Sequence, residues 1–171
     1  MLIECTKNLA DEMKMKLSDI TPLRREPFYE WHANLFVFEG RKGVILMNNR
    51  TRYSIVLYGL KAEHFRELDT IVLSAIEETF IAEGFPSDKV KRYIENCSNV
   101  VYTKTHNRSI ISQMNDFYVA VSWEIKYHLP SSSINMIELS KFTGRLLCST
   151  LGYIYPVELL KKAIEEIKIT P

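Results

Sequence analysis

Between residues 34 and 60 three apolar runs, NLFVF (34–38), GVILM (43–47) and YSIVLYG (53–59), are separated by two short polar breaks. The runs are rich in Val, Ile, Phe and Tyr and are spaced as the strands of a β-meander. A sheet with one wet face alternates apolar and polar positions. Here Leu35, Phe36, Val37 and Phe38 are all apolar, as are Val44, Ile45, Leu46 and Met47. This pattern predicts cover on both faces, from helices or from a second subunit.

The cover is available in the flanking sequence. LIECT (2–6) reads as a first strand, and NLADEMKMKL (8–17) places Leu9, Met13 and Leu17 on one helical face. TPLRREP (21–27), with two prolines, is a loop leading to Trp31. A helix over 61–84 carries Phe65, Leu68, Val72, Ile76 and Phe80 on one stripe and stops at Gly84. A short helix follows Pro86, capped by Ser87 or Asp88, and VVYT (100–103) has the β-branched content of a strand. A long helix with Asn107 as N-cap sets Ile110, Met114, Phe117, Val121 and Ile125 on one face. PSSS (130–133) is a linker to helical segments around 137–148 and 156–167. The expectation is a single α+β domain over 1–171, with residues 130–171 as a C-terminal helical extension. Its sheet is four- to five-stranded, antiparallel or mixed, contains the three-stranded meander, and is covered by five or six helices.

Composition narrows the class without naming a function. At 171 residues, 46% apolar and 25% charged, the chain is one ordinary globular domain. A formal charge of +1, from 22 basic and 21 acidic residues, gives no global field toward nucleic acid or an anionic membrane. Cys5, Cys97 and Cys148 form no C-x-x-C pair, so reduced, buried thiols are expected rather than a zinc site or disulfides. The opening MLIECTKNLADEMK lacks the basic and apolar parts of a secretory signal. No apolar stretch approaches the ~20 residues of a membrane helix. A cytoplasmic location with no membrane contact is expected.

The familiar catalytic motifs are missing. The six glycines are scattered, which excludes a P-loop and a dinucleotide fingerprint, and there is no G-x-S-x-G, H-E-x-x-H or Cys/His cluster. WEIK places Glu124 two residues before Lys126, as in metal-dependent nucleases, but helical periodicity turns the two side chains apart. No cofactor and no metal are expected. Three polar clusters at predicted strand ends remain: WHAN with Trp31, His32 and Asn34; NNRTR with Asn48, Asn49, Arg50 and Arg52; and TKTHNRS with Lys104, His106 and Arg108. The plainer reading is a hairpin turn, with Asn-Asn in left-handed conformations, and helix caps. The sharper reading is a phosphate or carboxylate site at the Asn107 helix start, with Lys104, Arg108, Arg50 and Arg52 as clamps and His32 or His106 as acid or base.

MLIECTK, WHANLF, MNNRTRYSIVLYGL and YTKTHNRSI together resemble a family of uncharacterised bacterial domains, with an opening Met-x-Ile-x-Cys-Thr-Lys, a central Trp-His-Ala-Asn and a Met-Asn-x-x-Thr-Arg-Tyr. LGYIYPVELL fits the same resemblance, which runs over most of the chain. It implies a prokaryotic origin and carries no activity or catalytic residue to any position. The expectation is therefore a non-catalytic binding or regulatory module, with a protein partner or a second copy first and nucleic acid next. The alternative is a small enzyme or binding protein for a phosphate-containing or nucleic-acid ligand.

Overall fold

The computed structural model describes residues 1–17, 26–127 and 134–169. Residues 21–25 of the loop expected at 21–27, and the linker at 130–133, lie outside the described residues. Those described form five strands, β1 (Leu2–Cys5), β2 (Glu30–Phe38), β3 (Arg41–Asn48), β4 (Ser54–Leu60) and β5 (Val101–Lys104). The six α-helices are α1 (Lys7–Glu12), α2 (Leu68–Ala82), α3 (Ser87–Cys97), α4 (Arg108–Tyr127), α5 (Met136–Thr143) and α6 (Pro156–Glu165). They fold into one mixed sheet of order β4-β3-β2-β1-β5. The expected antiparallel meander is β2-β3-β4, and β1 pairs in parallel with both β2 and β5.

The β2–β3 connection is the two-residue turn Glu39-Gly40, both at positive φ, whose twist matches the strands it joins. Gly43 is required for packing: a Cβ there would lie 2.3 Å from Phe36 Cζ and 2.5 Å from Leu57 O. Its absence lets the Phe36 ring lie across β3.

Helices cover both faces, as the apolar runs predict. Ile3, Trp31, Ala33, Val44, Leu46, Ile55 and Leu57 face one core with Leu68, Val72, Ile76 and Phe80 of α2, Val90 and Tyr93 of α3, and Leu160 and Ile164 of α6. Phe36, Ile45, Met47, Val56 and Tyr58 face the other with Ile110, Met114, Phe117, Val121 and Ile125 of α4 and Leu139 of α5. The stripes read on α2 and α4 are thus buried ones. The outer edge of β4 is closed by α5, where Ser140 Oγ accepts from Val56 N at 2.9 Å and Thr143 Oγ1 donates to Ser54 O at 3.3 Å. Paired this way, the edge offers less backbone to a foreign strand.

Several boundaries differ from expectation. Helix α2 begins at Leu68 and not at 61, because a separate 3-10 turn at His64–Arg66 precedes it and carries Phe65. Helix α1 stops at Glu12, with Lys14 at φ 55, so Leu17 packs on the core from outside any helix. Helix α3 has Pro86 as N-cap and no side-chain cap, since Asp88 accepts only from the next amide, Lys89 N. Helix α5 ends at Thr143, short of 148. Strand β2 begins at Glu30, so Trp31, His32 and Asn34 lie inside a strand and not at its end. Polar residues there read as a strand end because local pattern does not show that a neighbouring strand pairs with them.

Candidate functional site

Strand alternation assigns the polar residues of β1 and β2 to the α4 side, because Ile3, Cys5, Trp31 and Ala33 face the opposite core. Register then sets Thr103, Glu4 and His32 side by side across β5, β1 and β2, with Glu30 beside Leu2 one step back. The start of α4 borders this row. Together they enclose a cavity of about 880 Å³, whose walls include Glu4, Glu30, His32, Asn49, Arg52 and Thr103, with His106, Asn107, Arg108 and Ile110 at the α4 end.

The NNRTR hairpin is both a turn and a wall. Asn48 is fully buried and organises the loop: its Oδ1 accepts from Arg50 N, Thr51 N and Thr51 Oγ1, and its Nδ2 donates to Phe28 O at 2.9 Å. The left-handed residue is Arg52, at φ 60, rather than either asparagine. Asn49 turns into the cavity, where its Nδ2 donates to Glu4 Oε1 at 3.1 Å and Glu30 Oε2 at 3.4 Å. Its oxygen must then face His32 Nδ1, 2.7 Å away, so Nδ1 carries the ring proton.

His32 is 1% exposed. Burial pulls its pKa below the ordinary value, against the Asn49 bond and the charge of Glu4, which favour the protonated ring. The neutral ring leaves a lone pair on Nε2. That nitrogen lies 3.3 Å from Glu4 Oε2 and has no hydrogen-bond partner among the described residues. Two acceptors at this distance call for a shared donor. Arg52 is also incompletely satisfied: its Nη1 donates to the Asn48 and Asn49 carbonyls, its Nε has no partner, and burial lowers its pKa.

Five of the ten residues singled out from the sequence therefore share this cavity: His32, Asn49, Arg52, His106 and Arg108. The others are elsewhere. Trp31 lies in the opposite core and donates Nε1–H to Tyr93 Oη at 2.9 Å. Asn34 ties β2 to its neighbours, accepting from Thr6 Oγ1 at 2.8 Å and donating to Asn115 Oδ1 at 3.4 Å. Asn48 is structural, and Arg50 is held by Glu26 at 3.1 Å and Glu166 at 2.5 Å, clasping the end of α6. Lys104 borders a separate hollow with Lys7, Asp11 and Lys16. The four-cation clamp is thus not assembled, since Arg50 and Lys104 point elsewhere. The sequence reading missed Glu4, Glu30 and Thr103. The signal for Glu4 was a carboxylate sharing its strand face with Leu2 in an otherwise apolar strand.

Residues 2–159 match the family described as Domain of unknown function (DUF6933). The chain belongs to the DUF6933 family. The matched span includes every strand and every wall of the cavity, so the site lies wholly within the DUF6933 domain. The resemblance to a family of uncharacterised domains is thereby borne out. No curated protein matches the chain. Among the described residues no group of three His, Cys, Asp or Glu is placed to hold a metal ion, and no helix is long and apolar enough to cross a membrane.

Proposed function

We propose that this DUF6933 domain is a non-catalytic binding module of the cytoplasm, whose ligand is a small polar molecule held in the cavity at the start of α4. One observation carries this reading: stretches far apart in sequence deliver His32, Asn49, Arg52, His106 and Arg108 to one concave space, where the almost fully buried His32 keeps an unpartnered nitrogen. Polar groups on a sheet face cost stability unless they are paired, and a ligand supplies the missing pairs. The volume is within the roughly 300–1,000 Å³ of small-molecule sites. The three cysteines are buried and none is in a disulfide, which suits a reducing compartment.

The test is a thermal-shift screen of common polar metabolites against the parent and His32→Gln. A ligand of the cavity raises the parent's Tm and leaves the variant's unchanged. A screen in which every compound treats the two proteins alike overturns the reading.

A second reading, a protein-docking module, draws on the outer face of α4, where Val119, Trp123 and Tyr127 recur every fourth residue at 55%, 62% and 56% exposure. The Trp123 and Tyr127 rings lie 4.6 Å apart, an aromatic pair of the kind that anchors interfaces. Loss of an interaction partner in Trp123→Ala, with the cavity variants unaffected, would favour it.

A further inference from the structure

The chemistry of the cavity walls narrows the ligand class, on the footing that the cavity is a ligand site. We propose that it binds a zwitterion of the free amino-acid class, with the ligand carboxylate on Arg52 and its ammonium against Glu4 and His32.

Charge is the first argument. The described walls carry two carboxylates, Glu4 and Glu30, against two guanidiniums, Arg52 and Arg108. A phosphate or a nucleic-acid backbone, for which the four-cation clamp was expected, would meet the carboxylates as well as the arginines. Like charges brought together out of water are penalised. A ligand with one charge of each sign meets no such penalty if its ends are oriented correctly.

The second argument is the state of Arg52. Its Nη1 is spent on the carbonyls of Asn48 and Asn49, while Nε is buried without a partner, in a residue that lines the cavity. The Nε–Nη2 edge of a guanidinium is a fork of two parallel N–H groups that matches the two oxygens of a carboxylate. A partly buried guanidinium with this edge unfilled pays for its desolvation and gains the compensating bonds only when an acid docks on it.

The opposite pole is formed by β1 and β2. His32 Nε2 and Glu4 Oε2 are both acceptors, 3.3 Å apart, while the Nδ1 proton of the ring is committed to Asn49 Oδ1. An ammonium has three donors and a charge that Glu4 complements. The same Asn49 accepts from Arg52 through its backbone oxygen and from His32 through its side-chain oxygen. Fork and acceptor pair are therefore anchored on one residue, the arrangement that an α-amino acid, whose ammonium and carboxylate share one carbon, would need.

The experiment is a titration of the full chain, by calorimetry and thermal shift, with the twenty free amino acids, sodium phosphate, AMP and adenosine as probes. The amino acid that binds best is then tested as its N-acetyl and carboxamide derivatives. The expected result is saturable binding of at least one free amino acid and a loss of about tenfold or more for each blocked derivative. Arg52→Lys, which keeps the charge without the fork, and Glu4→Gln, which keeps the shape without the charge, each weaken binding by a similar factor, with unliganded Tm close to the parent's. The derivatives need no variant, so a folding defect in either variant does not blunt the test. Blocked derivatives that bind as well as the free acid overturn the zwitterion assignment. Binding of phosphate, AMP or adenosine in place of amino acids, sensitive to Arg52→Lys, also rejects the zwitterion while keeping the cavity as a site. No saturable binding by any probe rejects the zwitterion, and the cavity reading itself then stands or falls on the wider His32→Gln screen.

Discussion

Along β2 the side chains directed toward α2, α3 and α6 are Trp31, Ala33 and Leu35, while those directed toward α4 are Glu30, His32, Asn34 and only then Phe36. The same strand thus contributes a continuous apolar row to one face and a polar row to the other. On the first face the central strand residues are buried against helix, with Leu46, Val44, Ile55 and Trp31 at 0% exposure, while the far end of β2 opens at Val37. On the second, apolar packing is confined to β3, β4 and the far half of β2, under α4 and α5. The remainder, over β1, β5 and the start of β2, is the cavity. The first face supplies the hydrophobic burial that holds the domain together. That surplus lets the second face retain carboxylates and a buried imidazole, which do little for stability by themselves.

The heaviest test of this contrast is Leu46→Ala. Leu46 is fully buried in the larger core, and removing it is expected to cost about 2–5 kcal/mol, read from the denaturation midpoint at unchanged m-value. A loss below about 1 kcal/mol would show that the apolar face is not the source of stability.

A smaller effect is expected where the same core meets a polar anchor. The Tyr53 hydroxyl donates to Glu83 Oε1 at 2.7 Å, and Arg145 grips both Glu83 oxygens at 2.8 and 2.7 Å. Tyr53→Phe should cost about 1 kcal/mol, since Arg145 still satisfies the carboxylate. Burial by itself would raise the Glu83 pKa, but the bonds from Arg145 and Tyr53 outweigh it and hold the carboxyl below its ordinary 4.5. The stability this provides is present above pH 4.5 and lost as pH falls further, and Glu83→Gln should remove that acid dependence from a pH series of melting curves.

On the polar half of the other face the expectation reverses. His32→Leu should leave stability within about 1 kcal/mol of the parent, in either direction, because removing the unpartnered nitrogen offsets the loss of the Nδ1 bond to Asn49. Ligand binding should disappear. A loss of several kcal/mol would instead make the polar row part of the scaffold.

The smallest effect is on the pH profile near neutrality. The His32 ring is buried neutral with its pKa below 6.5, so the unfolded chain takes up a proton first as the solution is acidified. Its contribution is complete above pH 6.5 and declines below it. Parent and His32→Leu should therefore have parallel stabilities above that pH and diverge below it, the parent falling faster. Divergence of the opposite sense, the parent gaining on the variant as pH falls, would mean that Glu4 holds the ring charged in the folded state, and parallel curves throughout would mean that folding leaves its pKa unchanged.

The elements and their buried stripes were legible because period carries them. Phe65 to Phe80 and Ile110 to Ile125 fall on single helical faces, and the unbroken runs at 35–38 and 44–47 require two covered faces whatever the topology. Asn107 as a cap was also legible, since a side-chain oxygen reaching Ser109 N and Ile110 N is a local arrangement. The site was half legible. Polar clusters marked His32, Asn49, Arg52, His106 and Arg108, but nothing local separates Arg52, which faces the cavity, from Arg50, which clasps Glu166.

What the sequence determined by itself is the inventory of strands and helices, their buried faces and the need for cover on both sides of the sheet, all of which follow from the spacing of apolar residues within short windows. Only the tertiary structure decided that β1 would lie between β2 and β5, and this long-range parallel pairing sets Glu4 against His32 and Thr103. Whether a polar residue becomes a surface group, a core anchor or a cavity wall depends on which strand stands beside it. Strand order is fixed by the summed packing of the whole chain, not by any window of residues that contains the side chain in question.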